Sequence, residues 1–175
     1  MDHNLTLLLS RDDIAAAVKR LAQELDKEYQ QRELVVVAVM KGAFIFLADL
    51  VRQMKTPLRR MELVQAASYG PGTVSPGRVS ILKDVPREAI QGQEVVLVED
   101  IIDTGITTAT ILRHLCRHRP ASLEVCTLLD KPSRRQTEVM PRFVGFTIPD
   151  RFVVGYGLDL DQRYRQLPDI YVLDE

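Results

Sequence analysis

The stretch Val95-Val96-Leu97-Val98-Glu99-Asp100-Ile101-Ile102-Asp103-Thr104-Gly105-Ile106-Thr107-Thr108 decides the fold. Glu94 to Val98 is a short apolar run that reads as a strand. Acids end it, a small-residue turn follows, and a helix is expected from about Thr107 to His118. Asp103 to Thr107 can aim several backbone N–H groups at one point. Thr104, Thr107 and Thr108 add hydroxyls, and the helix dipole adds positive potential, which together make an anion pocket sized for phosphate. Glu99 and Asp100 would repel a phosphate unless they meet sugar hydroxyls or a metal. The whole string therefore points to a phosphorylated sugar. The plainer alternative is an acidic strand end followed by a capped helix.

Working outward, the same strand-then-helix grammar recurs. Leu34 to Met40 is a second continuous apolar run, broken by Lys41-Gly42 and followed by an apolar-rich helix from Ala43 to Met54. Met61 to Ala67 reads as the next strand, completing a βαβ unit. Before these, Ser10 caps a helix carrying Ile14, Val18, Leu21 and Leu25 at helical spacing, with Asp13 as a weaker substitute for the usual Glu. Ser68 to Arg78 holds three Gly and two Pro and reads as a long mobile loop, with a short strand at Val79 to Leu82. Leu123 to Leu129 is a further strand, ending in Asp130-Lys131. Phe143 to Phe146, Phe152 to Val154 and Ile170 to Leu173 are short strands. Alternation of this kind implies an α/β fold with a central parallel sheet flanked by helices. In such sheets ligands sit at the carboxyl ends of the strands, where these polar clusters fall.

Composition narrows the class. The 175 residues suit one domain. Lys plus Arg number 23 against 24 Asp plus Glu, a net charge of -1, which disfavours nucleic-acid binding by bulk charge. No apolar run approaches a membrane span, and the N-terminus lacks the basic region of a signal peptide, so no membrane association is expected. Cys116 and Cys126 form neither a disulfide framework nor a metal pair, and the expected compartment is the reducing cytoplasm.

Val95 to Thr108 resembles the ribose-phosphate signature of type I phosphoribosyltransferases. Glu99-Asp100-Ile101-Ile102-Asp103-Thr104-Gly105 is similar to its hypoxanthine-guanine branch. Further resemblances follow in order: Val39-Met40-Lys41-Gly42-Ala43, Ser68-Tyr69-Gly70, Leu129-Asp130-Lys131, Val144-Gly145-Phe146, Pro149 to Asp159 and Tyr164-Arg165. The resemblance implies one phosphoribosyltransferase domain over 1–175. A small C-terminal hood would form mainly from about 143–175 with the N-terminal segment, and the mobile loop from about 68–78. It implies purine salvage: transfer of ribose 5-phosphate from phosphoribosyl pyrophosphate to hypoxanthine or guanine, with Mg²⁺ as cofactor, in a homodimer or homotetramer.

Roles follow from the same resemblance. Asp103 is the expected general base near purine N7, and it caps the helix in the plainer reading. Asp103, Thr104, Gly105, Ile106, Thr107 and Thr108 would hold the 5′-phosphate. Glu99 and Asp100 would hold the ribose hydroxyls directly or through metal-bound water. Lys41, Gly42 and Arg165 would bind pyrophosphate, and whether the Lys41 peptide is cis is left open by the sequence. Ser68 and Tyr69 would open the mobile lid. Lys131 would donate to the purine O6, Phe152 would stack on the base, and Val153 would supply backbone contacts. Asp159 would help hold the base and reach Mg²⁺. The plainer alternatives are a loop cation for Lys41, a solvated basic loop for Lys131 and a core aromatic for Phe152.

Some positions depart from the pattern. Ile106 replaces a polar or basic residue of some relatives, and Gln65 and Ala67 replace basic ones before Ser68. Gly72 to Gly77 has the glycine spacing of a P-loop but not its Lys-Ser/Thr. His114 and His118 lie four apart on a helix with no third ligand near them in sequence, which reads as a basic helix end.

Overall fold

The computed structural model describes residues 4–68 and 79–173. The loop read across 68–78, with Tyr69, lies outside them except for Ser68, which ends a strand. The expected α/β architecture is present as two sheets. The larger runs β4-β3-β2-β5-β6-β7, with β2 Leu34–Met40, β3 Leu58–Ser68, β4 Val79–Lys83, β5 Glu94–Ile102, β6 Ser122–Asp130 and β7 Phe143–Thr147. All neighbours are parallel except β3 and β4, which are antiparallel. The smaller sheet, β1-β9-β8, is antiparallel and joins Leu5–Leu9, Ile170–Leu173 and Val153–Val154.

The core follows the patterns that produce the strands. Val35, Val36, Val37 and Ala38 of β2 and Val95, Val96, Leu97 and Val98 of β5 are all buried, so each strand is covered on both faces. On one face α1 (Arg11–Glu28) buries Ile14, Val18, Leu21 and Leu25. Ser10 and Asp13 cap this helix reciprocally, so the Asp substitute completes the box. Beside it α2 (Phe44–Gln53) buries Phe46, Leu47 and Leu50. The opposite face is covered by α3 (Arg87–Ile90) and α4 (Ile106–Cys116), with Ile90, Ile111 and Leu115 in that core. No helix among the described residues is long and apolar enough to cross a membrane.

The strands are longer than the apolar runs suggest. Pairing of Glu99, Ile101 and Ile102 with Thr127, Leu129 and Asp130 carries β5 past its hydrophobic core into the acids. Leu58–Arg60 likewise extends β3. β1 and α3 were not evident in the sequence: an apolar pentapeptide and a four-residue helix carry too little periodicity to mark themselves.

The order of the sheet places the site. From β2 the chain steps to β3 on one side, whereas from β5 it steps to β6 on the other. The β2–β5 seam is therefore a topological switch point, where strand ends diverge and leave a crevice. The loops after β2, β5 and β6 carry Lys41-Gly42, Asp103–Gly105 and Lys131.

Candidate active site

Across the seam, Gly42 and Asp100 touch. A Cβ on Gly42 would stand 1.7 Å from Asp100 Oδ2 and 2.5 Å from its Cγ. Gly42 is therefore required for space rather than for an unusual φ. Its carbonyl oxygen in turn lies against Gly157, where a Cβ would meet it at 2.3 Å, and Gly157 has φ +99°. Three segments distant in sequence thus meet in one sandwich: Asp100, Gly42 and Gly157. The Met40–Lys41 peptide is cis. Lys41 is exposed, with its Nζ 3.4 Å from Gln162 Oε1.

The two acids differ in environment. Glu99 is buried; Thr108 Oγ1 donates to its Oε2 at 3.1 Å. Its Oε1 is buried with no hydrogen-bond partner. Burial, then the neighbouring Asp100, push the Glu99 carboxyl up to about 8. Burial also pushes half-buried Asp100 up to about 6. Two adjacent carboxyls, one with an orphaned oxygen, form a hard-oxygen donor set that fits Mg²⁺, which binds through one or two carboxylates and retains waters.

The phosphate turn is built as the small residues require. Gly105 is left-handed at φ +80° and forms the N-cap of α4. Its carbonyl accepts Ala109 N–H at 2.8 Å. Arg135 Nε donates to Asp103 O at 3.2 Å and Gln136 N–H to Thr104 O at 2.9 Å. Those two carbonyls are thereby engaged; Ile106 N–H makes a long 3.4 Å contact to Thr104 Oγ1, and the N–H groups of Thr107 and Thr108 stand in the first turn, where an anion can be bound. The turn is made by backbone groups, so the apolar side chain of Ile106 leaves it intact.

Asp103 is half-exposed, and its Oδ1 lies 2.9 Å from Arg134 Nε. Arg134 also reaches Asp150 at 3.4 Å. Arg135 is largely buried and is held by Asp130 and the Val139 carbonyl. Its Cδ and the Thr137 hydroxyl fill the space where a Cβ on Gly105 would go, at 2.9 and 2.3 Å. Arg134, Arg135 and Thr137 are neighbours of the candidate site that the sequence did not mark. Their only signal was their place just after the end of β6.

Lys131 is 5% exposed, and its backbone N–H donates to Ile102 O at 2.9 Å. No hydrogen bond or ion pair engages its ammonium among the described residues. Phe152, 51% exposed, precedes buried Val153 on β8. Asp159 and Arg165 form an ion pair at 2.7 Å. Asp159 Oδ2 accepts Gln162 N–H at 2.9 Å, and Arg165 Nη1 donates to Gly157 O at 2.6 Å. Arg165 therefore braces the Gly157 turn, and its Nε is buried without a partner. The small sheet is tied to the body by Tyr156 Oη donating to Asp49 at 2.6 Å and Arg11 N–H donating to Asp169 at 2.7 Å.

A family model of the phosphoribosyl transferase domain matches residues 7–161. The chain belongs to the phosphoribosyltransferase family. It is 43% identical to the hypoxanthine phosphoribosyltransferase of Salmonella typhimurium, each covered over its whole length. It is 45% identical to the hypoxanthine-guanine phosphoribosyltransferase of Bacillus subtilis, over 99% of this chain and 96% of that protein. Among solved structures, a hypoxanthine-guanine phosphoribosyltransferase from Bacillus anthracis superposes with TM-score 0.92 at 41% identity, covering 99% of this chain and 100% of the other. A hypoxanthine phosphoribosyltransferase from Staphylococcus aureus gives 0.89 at 41%, covering 97% and 91%.

Within this phosphoribosyltransferase, the structure brings the sequence-assigned residues to one end of the large sheet. Lys41 and Gly42 follow β2, Glu99 and Asp100 end β5, and Asp103 to Thr108 lead into α4. Lys131 follows β6. Phe152, Val153, Asp159 and Arg165 come from the small sheet and its connection, linked to the rest through Gly157 and Gln162.

Proposed function

We infer that this chain is a purine-salvage transferase that moves ribose 5-phosphate from phosphoribosyl pyrophosphate to hypoxanthine or guanine, releasing pyrophosphate. The observation that carries the base class is Lys131. Lys131 is buried as a residue while its ammonium has no acceptor among the described residues, so that donor is available to a ligand. The O6 carbonyl of a 6-oxopurine supplies the acceptor. Adenine carries an amino donor at that position, which would leave two donors facing each other, so the site rejects it. Exposed Phe152 offers an aromatic face for the base, and the Val153 backbone lies beside it.

The roles assigned from the sequence have a physical basis in this arrangement. The phosphate rests on the N–H groups of Ile106 to Thr108 and the Thr hydroxyls. Glu99 and Asp100 take the ribose hydroxyls, Glu99 through its orphaned Oε1. Purine N9 bonds to the anomeric carbon as that carbon's bond to pyrophosphate oxygen breaks. Asp103 receives the proton that purine N7 sheds. Lys41, the Gly42 N–H and Arg165 stabilise charge on the departing pyrophosphate. Glu99, Asp100 and Asp159 are the residues that would hold Mg²⁺, which supplies positive charge to the polyphosphate when bound. Cytoplasmic location and assembly as a homodimer or homotetramer belong to the same proposal. Exposed Phe44 and Met61 supply apolar surface for assembly, and light scattering after size exclusion tests it.

The direct test is a spectrophotometric assay with phosphoribosyl pyrophosphate, Mg²⁺ and each base in turn. Turnover of hypoxanthine or guanine without adenine is expected. Absence of turnover with both 6-oxopurines overturns the reading.

A further inference from the structure

Away from the sheet end that holds the candidate active site, a second set of ligating groups converges where α4 ends. Asp84 follows β4, His114 lies in the last turn of α4, and His118 lies just beyond it. One carboxylate oxygen of Asp84 and one ring nitrogen from each histidine lie within 4.8 Å of one another. Asp84 Oδ1 is 2.7 Å from His114 Nε2 and also accepts Val85 N–H at 2.7 Å, which fixes the carboxylate. The two imidazoles stand edge to face, centroids 5.2 Å apart. His118 Nε2 is shielded from solvent and has no hydrogen-bond partner. That contact accounts for Asp84 and His114 but leaves the His118 nitrogen unexplained.

We propose that Asp84, His114 and His118 form a divalent transition-metal site that takes Zn²⁺ in preference to Mg²⁺. Two imidazole nitrogens and one carboxylate oxygen are a zinc donor set, with bonds of about 2.0–2.2 Å and a fourth position for water. Mg²⁺ instead demands oxygens. Ligand atoms around a tetrahedral zinc stand roughly 3.4 Å apart. Side-chain rotations alone bring the present cluster to that spacing, because residues four apart share one helix face. Arg113 and Arg117 each precede a histidine and sit about 100° round the helix, exposed and screened. The Asp84 charge faces the cluster. The third ligand is invisible in the sequence because Asp84 lies thirty residues before His114.

The metal would clasp the edge strand β4 to the far end of the helix that begins at the phosphate turn. His114 lies about 12 Å along α4 from Ile106, so zinc there stabilises the fold by mass action without entering the reaction. The test uses tag-free, metal-stripped full chain with Mg²⁺ in excess to fill oxygen sites. Calorimetric titration should give one Zn²⁺ per chain and a higher thermal midpoint, and Co²⁺ should produce the visible absorption of a tetrahedral nitrogen–oxygen site. H118Q and D84N should each weaken Zn²⁺ binding by about tenfold or more. H118Q should keep its metal-free thermal midpoint, since it removes no hydrogen bond, and both should keep Mg²⁺-supported turnover. C116S, altering the exposed thiol on α4, should bind zinc like the parent. Absence of stoichiometric binding, binding unchanged in H118Q and D84N, or binding lost in C116S overturns the proposal.

Discussion

Gly42→Ala is the sharpest probe of how the β2 loop and the β5 acids are built together. The added Cβ would stand 1.7 Å from Asp100 Oδ2, whereas ordinary contact begins near 3.4 Å. The carboxylate must therefore retreat by about 1.5–2 Å, or the loop must. A misplacement of about 1 Å at a reacting centre lowers catalysis by about a hundredfold, so kcat/KM for phosphoribosyl pyrophosphate should fall by about 10². Overpacking should also destabilise the chain by about 1–3 kcal/mol. For a chain of this size each kcal/mol lowers the thermal midpoint by about 2–4 °C. The second arm repeats the substitution in an Asp100→Ala background, where the carboxylate is gone. There Gly42→Ala should be neutral or stabilise by about 0.4–1 kcal/mol through the unfolded chain. Steady-state kinetics and urea unfolding of the four proteins make a complete cycle. Wild-type kcat/KM in Gly42→Ala, or the same loss of stability in both backgrounds, would refute the steric coupling.

Other outcomes follow from the same geometry. Glu99 has its carboxyl raised from an ordinary 4.5 to about 8, so the folded chain holds that proton more tightly than the unfolded one. Its contribution to stability is complete below about pH 4.5 and is lost as pH rises through about 8. Glu99→Gln should flatten the decline in unfolding free energy between pH 6 and 8, leaving the earlier part that Asp100 supplies; an unchanged pH profile counts against burial as the cause. Asp103→Asn should lower kcat by about 10²–10⁴ with little change in KM, and equal loss in both would mark a structural role beside Arg134. Lys131→Ala should erode discrimination between 6-oxopurines and adenine, measured as the ratio of kcat/KM values; unchanged discrimination removes it from base reading. Phe152→Ala should raise KM for the base by about 1–3 kcal/mol equivalent if the ring stacks on it, with kcat the lesser effect.

Much of the architecture was legible because buried parallel strands announce themselves. Leu34–Met40 was read with its observed ends, since Lys41-Gly42 interrupts the apolar run where the strand also stops. Ile14, Val18, Leu21 and Leu25 were legible for the equivalent reason, a helical period facing one core. The left-handed turn at Gly105 leading into α4 was legible because its parts are consecutive. Harder to see were contributions whose meaning depends on a partner. The loop after Lys131, whose plainer reading is a solvated basic loop, carries Arg134 and Arg135, yet one meets Asp103 and the other is largely buried behind Gly105. Gly157 lies within the Pro149 to Asp159 stretch, but its need for glycine comes from φ +99° and the Gly42 carbonyl pressed against it.

The sequence by itself determined the alternation of strands and helices, the small-residue turn that opens α4 and the family kinship, because hydrophobic period and local turn chemistry are properties of neighbours along the chain. Only the tertiary structure decided that β2 and β5 sit side by side at the switch point and that Asp100 rests on Gly42. It also decided that Glu99 keeps one oxygen unpartnered and that Asp84 faces His114 and His118. Those facts depend on which strand ends are adjacent and how closely their backbones approach, and packing sets that distance across residues that no local pattern connects.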